Sequence, residues 1–147
     1  MTLEVKKSMC VDVSDETNSP LVSVFLICFN HANFIRECVN SILDQTYFNI
    51  DLTIIDNNST DNSRKIIKEL SKNNLFNVVF QQNIGLVRTL NKIISTNLIK
   101  GKYVCFLSCD DYWHKNKIQK QIDAFKKLNP SFGIVCSDSF IVNDNNK

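Results

Sequence analysis

Five short apolar runs, separated by stretches with helical spacing, limit what this chain can fold into. VSVFLICF (22–29), LTIID (52–56), NVVFQ (77–81), YVCFL (103–107) and GIVCS (133–137) each have strand length and β-forming residues. The first is apolar without alternation, which predicts burial on both faces. Between the runs the spacing becomes helical. Phe34, Ile35, Cys38, Val39, Ile42 and Leu43 share one face, with Asn33 or Asn30 as the expected N-cap. Ile66, Ile67 and Leu70 mark a second helix, with Asn58, Ser59 and Thr60 available to cap it. Leu86, Leu90, Ile93 and Ile94 follow Gly85, and Ile118, Ile122, Phe125 and Leu128 mark a helix stopped before Pro130. Strands alternating with helices predict an α/β fold: a mostly parallel sheet with helices on both faces. Right-handed crossovers leave few topologies. Such sheets bind ligands beyond the carboxyl ends of their strands, near the switch in strand order.

The 147 residues suit one domain. Residues 1–20 are polar, end at Pro20 and read as a tail, leaving 21–147 as the folded domain. A net charge of +2, with lysines spread along the chain, gives no platform for nucleic acid. The six cysteines, at 10, 28, 38, 105, 109 and 136, form no CxxC, and most sit in apolar runs where a thiol acts as a small hydrophobe. That predicts a reducing compartment and no disulfide framework. MTLEVKKSMCVDVSDETNSP lacks the apolar core of a signal peptide, and no window is long and apolar enough to span a bilayer. The expected location is cytoplasmic, with peripheral membrane association left open.

The chemistry gathers where strands end. FLSCDDYW (106–113) closes an apolar run on two adjacent acids, Asp110 and Asp111. One explanation is a helix N-cap, with Asp111 ahead of the helix that starts near His114–Lys117. The other is a divalent cation, Mg²⁺ or Mn²⁺, which takes carboxylate and phosphate oxygens and cancels the repulsion between the acids. The two explanations stay open, and both can hold. In IIDNNSTDNS (54–63), Asp56, Asn57, Asn58 and Ser59 suit turn chemistry and capping. They equally suit an edge of hydrogen-bonding groups for a base or ribose. In QQNIGLVRTLN (81–91), Gly85 permits close backbone approach to a ligand, and Arg88 lies one turn further on, where it can reach a phosphate or remain a surface arginine. There is no GxGxxG and no GxxxxGK[ST]. His31 and His114, the two histidines, have no Ser or Cys partner in a recognisable motif, which leaves hydrolase triads unsupported. His31 sits near a strand end, where it is either local to the site or, as is commoner, a solvent-facing loop residue.

In order, these stretches resemble the family 2 glycosyltransferases. LVSVFLICFNHANFIRECVNSILDQTY is similar to their first strand, its Tyr-Asn or Phe-Asn pair and the helix ending Ser-Ile-x-x-Gln-Thr. DLTIIDNNSTDNS is similar to their second strand and Asp-Asp-Gly-Ser-x-Asp turn, and NIGLVRTLNKIISTNLIKGKYVCFLSCDDYW to their Asn-x-Gly helix and Asp-x-Asp-type metal motif. The resemblance covers roughly residues 20–145. It implies a Rossmann-like GT-A fold that binds a nucleotide-sugar, often UDP-linked, with Mg²⁺ or Mn²⁺. By position, Phe29 and Asn30 would line the nucleotide pocket, and Asp56, Asn57 and Ser59 would lie at the base or ribose. Gly85 and Arg88 would lie near the nucleotide or sugar. Asp110 would contact ribose and metal, and Asp111 the metal.

Three departures bear on that expectation. Asn57 replaces the second acid of the turn, and an amide carries a donor as well as an acceptor. Ser108 stands at the first position of the Asp-x-Asp motif, so the metal role rests on Asp110 and Asp111. Family members are also considerably longer, with the general base and acceptor-binding segments in their second half. The resemblance therefore implies a donor-binding part without its acceptor-binding part, the base lying beyond residue 147 and no role as base given to Asp138. The implied reaction is metal-dependent transfer of a sugar from a UDP-linked donor to an acceptor hydroxyl, with inversion, in polysaccharide or lipid-linked glycan synthesis. The rival is a non-catalytic nucleotide-binding fragment that is inactive or needs a second chain.

Overall fold

The computed structural model describes residues 19–73 and 76–142. Most of the N-terminal tail therefore lies outside the described residues. Four strands and four helices alternate: β1 (Val22–Cys28), α1 (Ile35–Leu43), β2 (Ile50–Asp56), α2 (Ser63–Asn73), β3 (Asn77–Phe80), α3 (Leu86–Ser95), β4 (Tyr103–Ser108) and α4 (Lys117–Lys127). All strand pairings are parallel, in the order β3-β2-β1-β4. β1 is paired along both edges and every one of its residues is buried, as its unbroken apolar run predicts.

The topology follows from handedness. The chain steps outward from β1 to β2 to β3, then returns past β1 to reach β4. Right-handed crossovers in opposite directions put their helices on opposite faces. One core holds Val22, Val24, Leu26 and Cys28 of β1 against Ile35, Cys38, Val39 and Ile42 of α1, Ile67 of α2, and Ile118 and Ile122 of α4. The other core sets Phe25 and Ile27 of β1 and Ile55 of β2 against Leu90 and Ile93 of α3. Each fully buried side chain of this size contributes roughly 1.5–3 kcal/mol. The lead-in to β4 is fixed by Gly101, where an added Cβ would sit 2.6 Å from the Leu21 carbonyl oxygen and the Ser23 nitrogen.

The structure corrects four local expectations. The run 133–137 forms no strand, and Cys136 is exposed. A strand is defined by its pairing, and this segment meets no strand edge. It is tied to α4 instead, through Gln121 Nε2 donating to the Val135 carbonyl and Lys117 Nζ to Ser137 Oγ. Neither Asn30 nor Asn33 caps α1. The N-cap is Phe34, and Asn30 Oδ1 is taken by the Thr60 N–H at 2.8 Å. α2 begins later than the 58–60 turn, and Asp61 Oδ1 accepts its Ser63 N–H at 2.9 Å. Asp111 does not cap α4. Its N-cap is Asn116, and the Ile118 N–H near its start is satisfied from just beyond α1 by Gln45 Oε1 at 3.0 Å.

Candidate functional site

β1 and β4 are neighbours in the sheet, and beyond their carboxyl ends the chain runs on through loops to α1 and to α4. A cleft of about 330 Å³ opens there, lined by Ile27, Phe29, His31, Asn57, Asn83, Gly85, Leu86 and Ser108. It lies at the switch in strand order, where doubly wound sheets bind ligands. Phe29 and Leu86 present exposed apolar surface. Gly85 has φ +79°, which an L side chain rarely adopts, and nothing lies within 4 Å of where its Cβ would be.

The wall on the β2 side is a closed hydrogen-bond system. Asp56 is fully buried, and its Oδ2 accepts from Arg64 Nε at 2.6 Å and from the Ser59 N–H at 3.2 Å. Arg64 in turn lies over the Phe80 ring, 5.2 Å from its centre. Ser59 Oγ accepts the Asn30 N–H at 3.0 Å, and Asn57 donates its N–H to the Cys28 carbonyl. Asn30 and Asn58 adopt positive φ, 60° and 64°, a region asparagine tolerates better than most residues. Next to them Ser63 Oγ and Asp61 Oδ2 take the N–H groups of His31 and Ala32. Burial works to raise the Asp61 carboxyl, but hydrogen bonds from Ser63 and backbone N–H groups outweigh it and hold the carboxyl below its ordinary range.

The β4 side is built differently. The loop that carries the acids is anchored to the end of α1: Trp113 donates its N–H to Ser41 Oγ, Gln45 Nε2 bonds the His114 carbonyl, and Thr46 donates its N–H to that of Lys115. Asp110 and Asp111 stand outside these anchors and are both exposed. Asp110 Oδ2 lies 3.8 Å from His31 Nε2. Partial burial works to raise the Asp110 carboxyl, but a hydrogen bond with Ser108, its own backbone N–H and the nearby His31 bring it below the ordinary carboxylate range.

The predicted residues therefore divide. Phe29, Asn57 and Gly85 line the cleft itself, and Asp110 stands at its mouth beside His31. Asp56, Ser59 and Asn30 form the wall behind it. Arg88 is exposed in the first turn of α3 and does not line the cleft. His31, for which a solvent-facing loop position was the favoured expectation, is instead half-buried beside an acid, and among the described residues its Nδ1 is buried without a hydrogen-bond partner. Gln81, Thr89 and Lys92 were missed. Gln81 Nε2 donates to Asn57 Oδ1 at 2.6 Å, Thr89 Oγ1 lies 3.1 Å from the same oxygen, and Lys92 Nζ donates to Gln81 Oε1 at 2.9 Å. Their one sequence signal is the helical spacing of 85, 89 and 92 directly after a strand.

Among the described residues no group of three or more His, Cys, Asp and Glu side chains is placed to hold a metal. Asp110 and Asp111 are two exposed carboxylates, the donor type that Mg²⁺ or Mn²⁺ uses in ones and twos alongside water and phosphate oxygens.

The sequence model for "Glycosyl transferase family 2" matches residues 23–147. The chain belongs to this family. Among its relatives is the uncharacterized glycosyltransferase RP339 of Rickettsia prowazekii, 38% identical over 110 residues, a match covering 75% of this chain and 33% of that protein. Another is the putative teichuronic acid biosynthesis glycosyltransferase TuaG of Bacillus subtilis, 33% identical over 115 residues, covering 77% of this chain and 45% of that one. The chain thus spans less than half the length of these curated relatives. Among solved structures, the mannosyltransferase PcManGT from Pyrobaculum calidifontis, in complex with GDP-Man and Mn²⁺, superposes with a TM-score of 0.71 at 20% identity over 80% of this chain and 35% of that one. That likeness establishes the GT-A type of fold.

Proposed function

We propose that residues 21–147 are the donor-binding part of a metal-dependent family 2 glycosyltransferase that transfers a sugar from a UDP-linked donor to an acceptor hydroxyl, with inversion. The observation that carries this reading is a cleft on the carboxyl rim that joins an apolar platform (Phe29, Leu86) to a polar edge (Asn57) and whose lining residue His31 lies 3.8 Å from Asp110, one of two adjacent solvent-facing acids. The base lies against Phe29, with its polar edge toward Asn57, and the diphosphate turns toward Asp110. Asp56 acts from behind: its bonds to Ser59 and Arg64 hold the turn that aims Asn57. Asp110 and Asp111 would hold Mg²⁺ or Mn²⁺, which when bound neutralises charge on the departing diphosphate. His31 lies 3.8 Å from Asp110 and adds to the polar surroundings of that acid.

The acceptor is a growing polysaccharide or lipid-linked glycan, in keeping with the teichuronic acid role in the name of the Bacillus relative. No helix among the described residues is long and apolar enough to cross a membrane. We place the protein at the cytoplasmic side, where nucleotide-sugars are made, in peripheral contact with a membrane that holds the acceptor.

The test is calorimetric titration of UDP with Mn²⁺, with chelator, and with Asp110→Ala. Binding that needs both the ion and Asp110 is expected. Binding indifferent to chelator and substitution alike would overturn the metal assignment, and absence of nucleotide binding would overturn the site. Sugar transfer from a UDP-linked donor separates the enzyme from a nucleotide-binding fragment.

A further inference from the structure

Asn57 carries a donor and an acceptor on one planar group, and which of them faces the cleft is settled two hydrogen bonds away. Lys92 Nζ can only donate. It lies 2.9 Å from one terminal atom of the Gln81 amide, which must therefore be the oxygen, Oε1. The Gln81 nitrogen is then turned the other way, 2.6 Å from the Asn57 amide and 3.0 Å from Thr89 Oγ1. A nitrogen donor demands an acceptor, so Asn57 meets it with Oδ1, which also lies 3.1 Å from Thr89 Oγ1. Asn57 Nδ2 is what remains on the cleft side. Thr89 does not decide the direction, because its hydroxyl has the Gly85 carbonyl at 2.8 Å as a second acceptor. Lys92 does decide it.

The geometry points to Lys92 and Gln81 as positioning residues that lock Asn57 into offering a hydrogen-bond donor to the cleft, so that the site selects a nucleotide whose base presents a keto oxygen over one that presents an amino group. This rests on the nucleotide-site reading above and deepens it. Uracil and cytosine have the same size but opposite polarity at their exocyclic group, as do guanine and adenine. An amide donor facing an amino group leaves two buried donors opposed and unpaired, and such a mismatch is worth about tenfold or more in affinity. Asn57 is only 3% exposed, so little water is available to relieve it.

Calorimetry with UDP, CDP, GDP and ADP in the presence of Mn²⁺ tests this, with the affinity ratio within each pair as the readout. A ratio is unaffected by the fraction of protein that is folded. Wild type is expected to favour UDP over CDP, and GDP over ADP, by about tenfold. Gln81→Glu keeps the shape and the Lys92 contact but has no donor. Asn57 must then turn Nδ2 toward residue 81 and show Oδ1 to the cleft, and both ratios should fall by about tenfold. Lys92→Glu, at an exposed position, inverts Gln81 and should act in the same direction; Lys92→Arg, still a donor, should leave the ratios unchanged. Equal affinities within each pair for the wild type, or ratios unmoved by both Gln81→Glu and Lys92→Glu, would overturn the polarity lock while leaving the nucleotide site standing. Failure of all four nucleotides to bind would overturn the site and the lock together.

Discussion

The carboxyl ends of β2 and β4 both finish on acids, and the fold treats them in opposite ways. Asp56 is completely buried and bonded to Arg64 and Ser59, members of its own turn and of α2. Asp110 is about half exposed, with His31 at 3.8 Å and the short-range bond with Ser108 as its contacts. A buried carboxylate must be paired by the protein, because nothing else reaches it. An exposed one at a rim can wait for an external cation. On the proposed reading, the β2 end is architecture that aims Asn57 and the β4 end is the part left for ligand. The loop behind Asp110 is held by Ser41, Gln45 and Thr46, so a solvent-facing group is carried on a fixed backbone.

The largest expected effect breaks the comparison at its buried end. Arg64→Met leaves the Asp56 charge without its cation and should cost about 3 kcal/mol of stability in urea denaturation. An unchanged midpoint would show that Ser59 alone satisfies Asp56. At the exposed end the effect should fall on function. Asp110→Ala should stay within about 0.5 kcal/mol of wild type in the same denaturation experiment. It should also weaken UDP binding in Mn²⁺ by about tenfold or more, to the level seen with chelator. A large loss of stability there would make both acids architectural. Thr89→Val sharpens the contrast on the buried side: it removes a hydroxyl shared by Asn57, Gln81 and Gly85, and should cost about 1 kcal/mol.

The smallest effect is on titration. Asp110 ionises below the ordinary carboxylate range in the folded protein. Its contribution to stability is therefore present above the unfolded-state value and is lost as pH falls through the lower folded one. Ser108→Ala should raise its midpoint toward the ordinary value, and His31→Ala should raise it by less, as read from the carboxyl carbon in an NMR titration. Neither shift appearing would mean that the backbone alone sets the ionisation of Asp110.

Much of this architecture was open to a reader of the residues. The unbroken apolar run 22–29 pointed to a strand buried on both faces, and helical spacing at Ile35, Cys38, Val39 and Ile42 names a face that covers it. The family resemblance rested on the same ordered stretches that the family model matches. What failed was local competition. Asn30, Asn33, the 58–60 turn and Asp111 are all good capping residues by type, yet Asn30 is drawn to Thr60, and α4 is satisfied at Ile118 by Gln45, 73 positions away. GIVCS has strand composition, but in the fold it is held against α4 and pairs with no strand.

Burial and periodicity are properties of a segment, so the chain alone determined the layered α/β plan and the placing of polar residues at strand ends. Partner choice is a property of position in space. Only tertiary structure could decide that Asp56 is sealed by Arg64 while Asp110 faces solvent beside His31. It alone could join Lys92, Gln81 and Asn57 into one chain of hydrogen bonds, because those three come from a helix, a strand end and a turn that meet only when the sheet is wound.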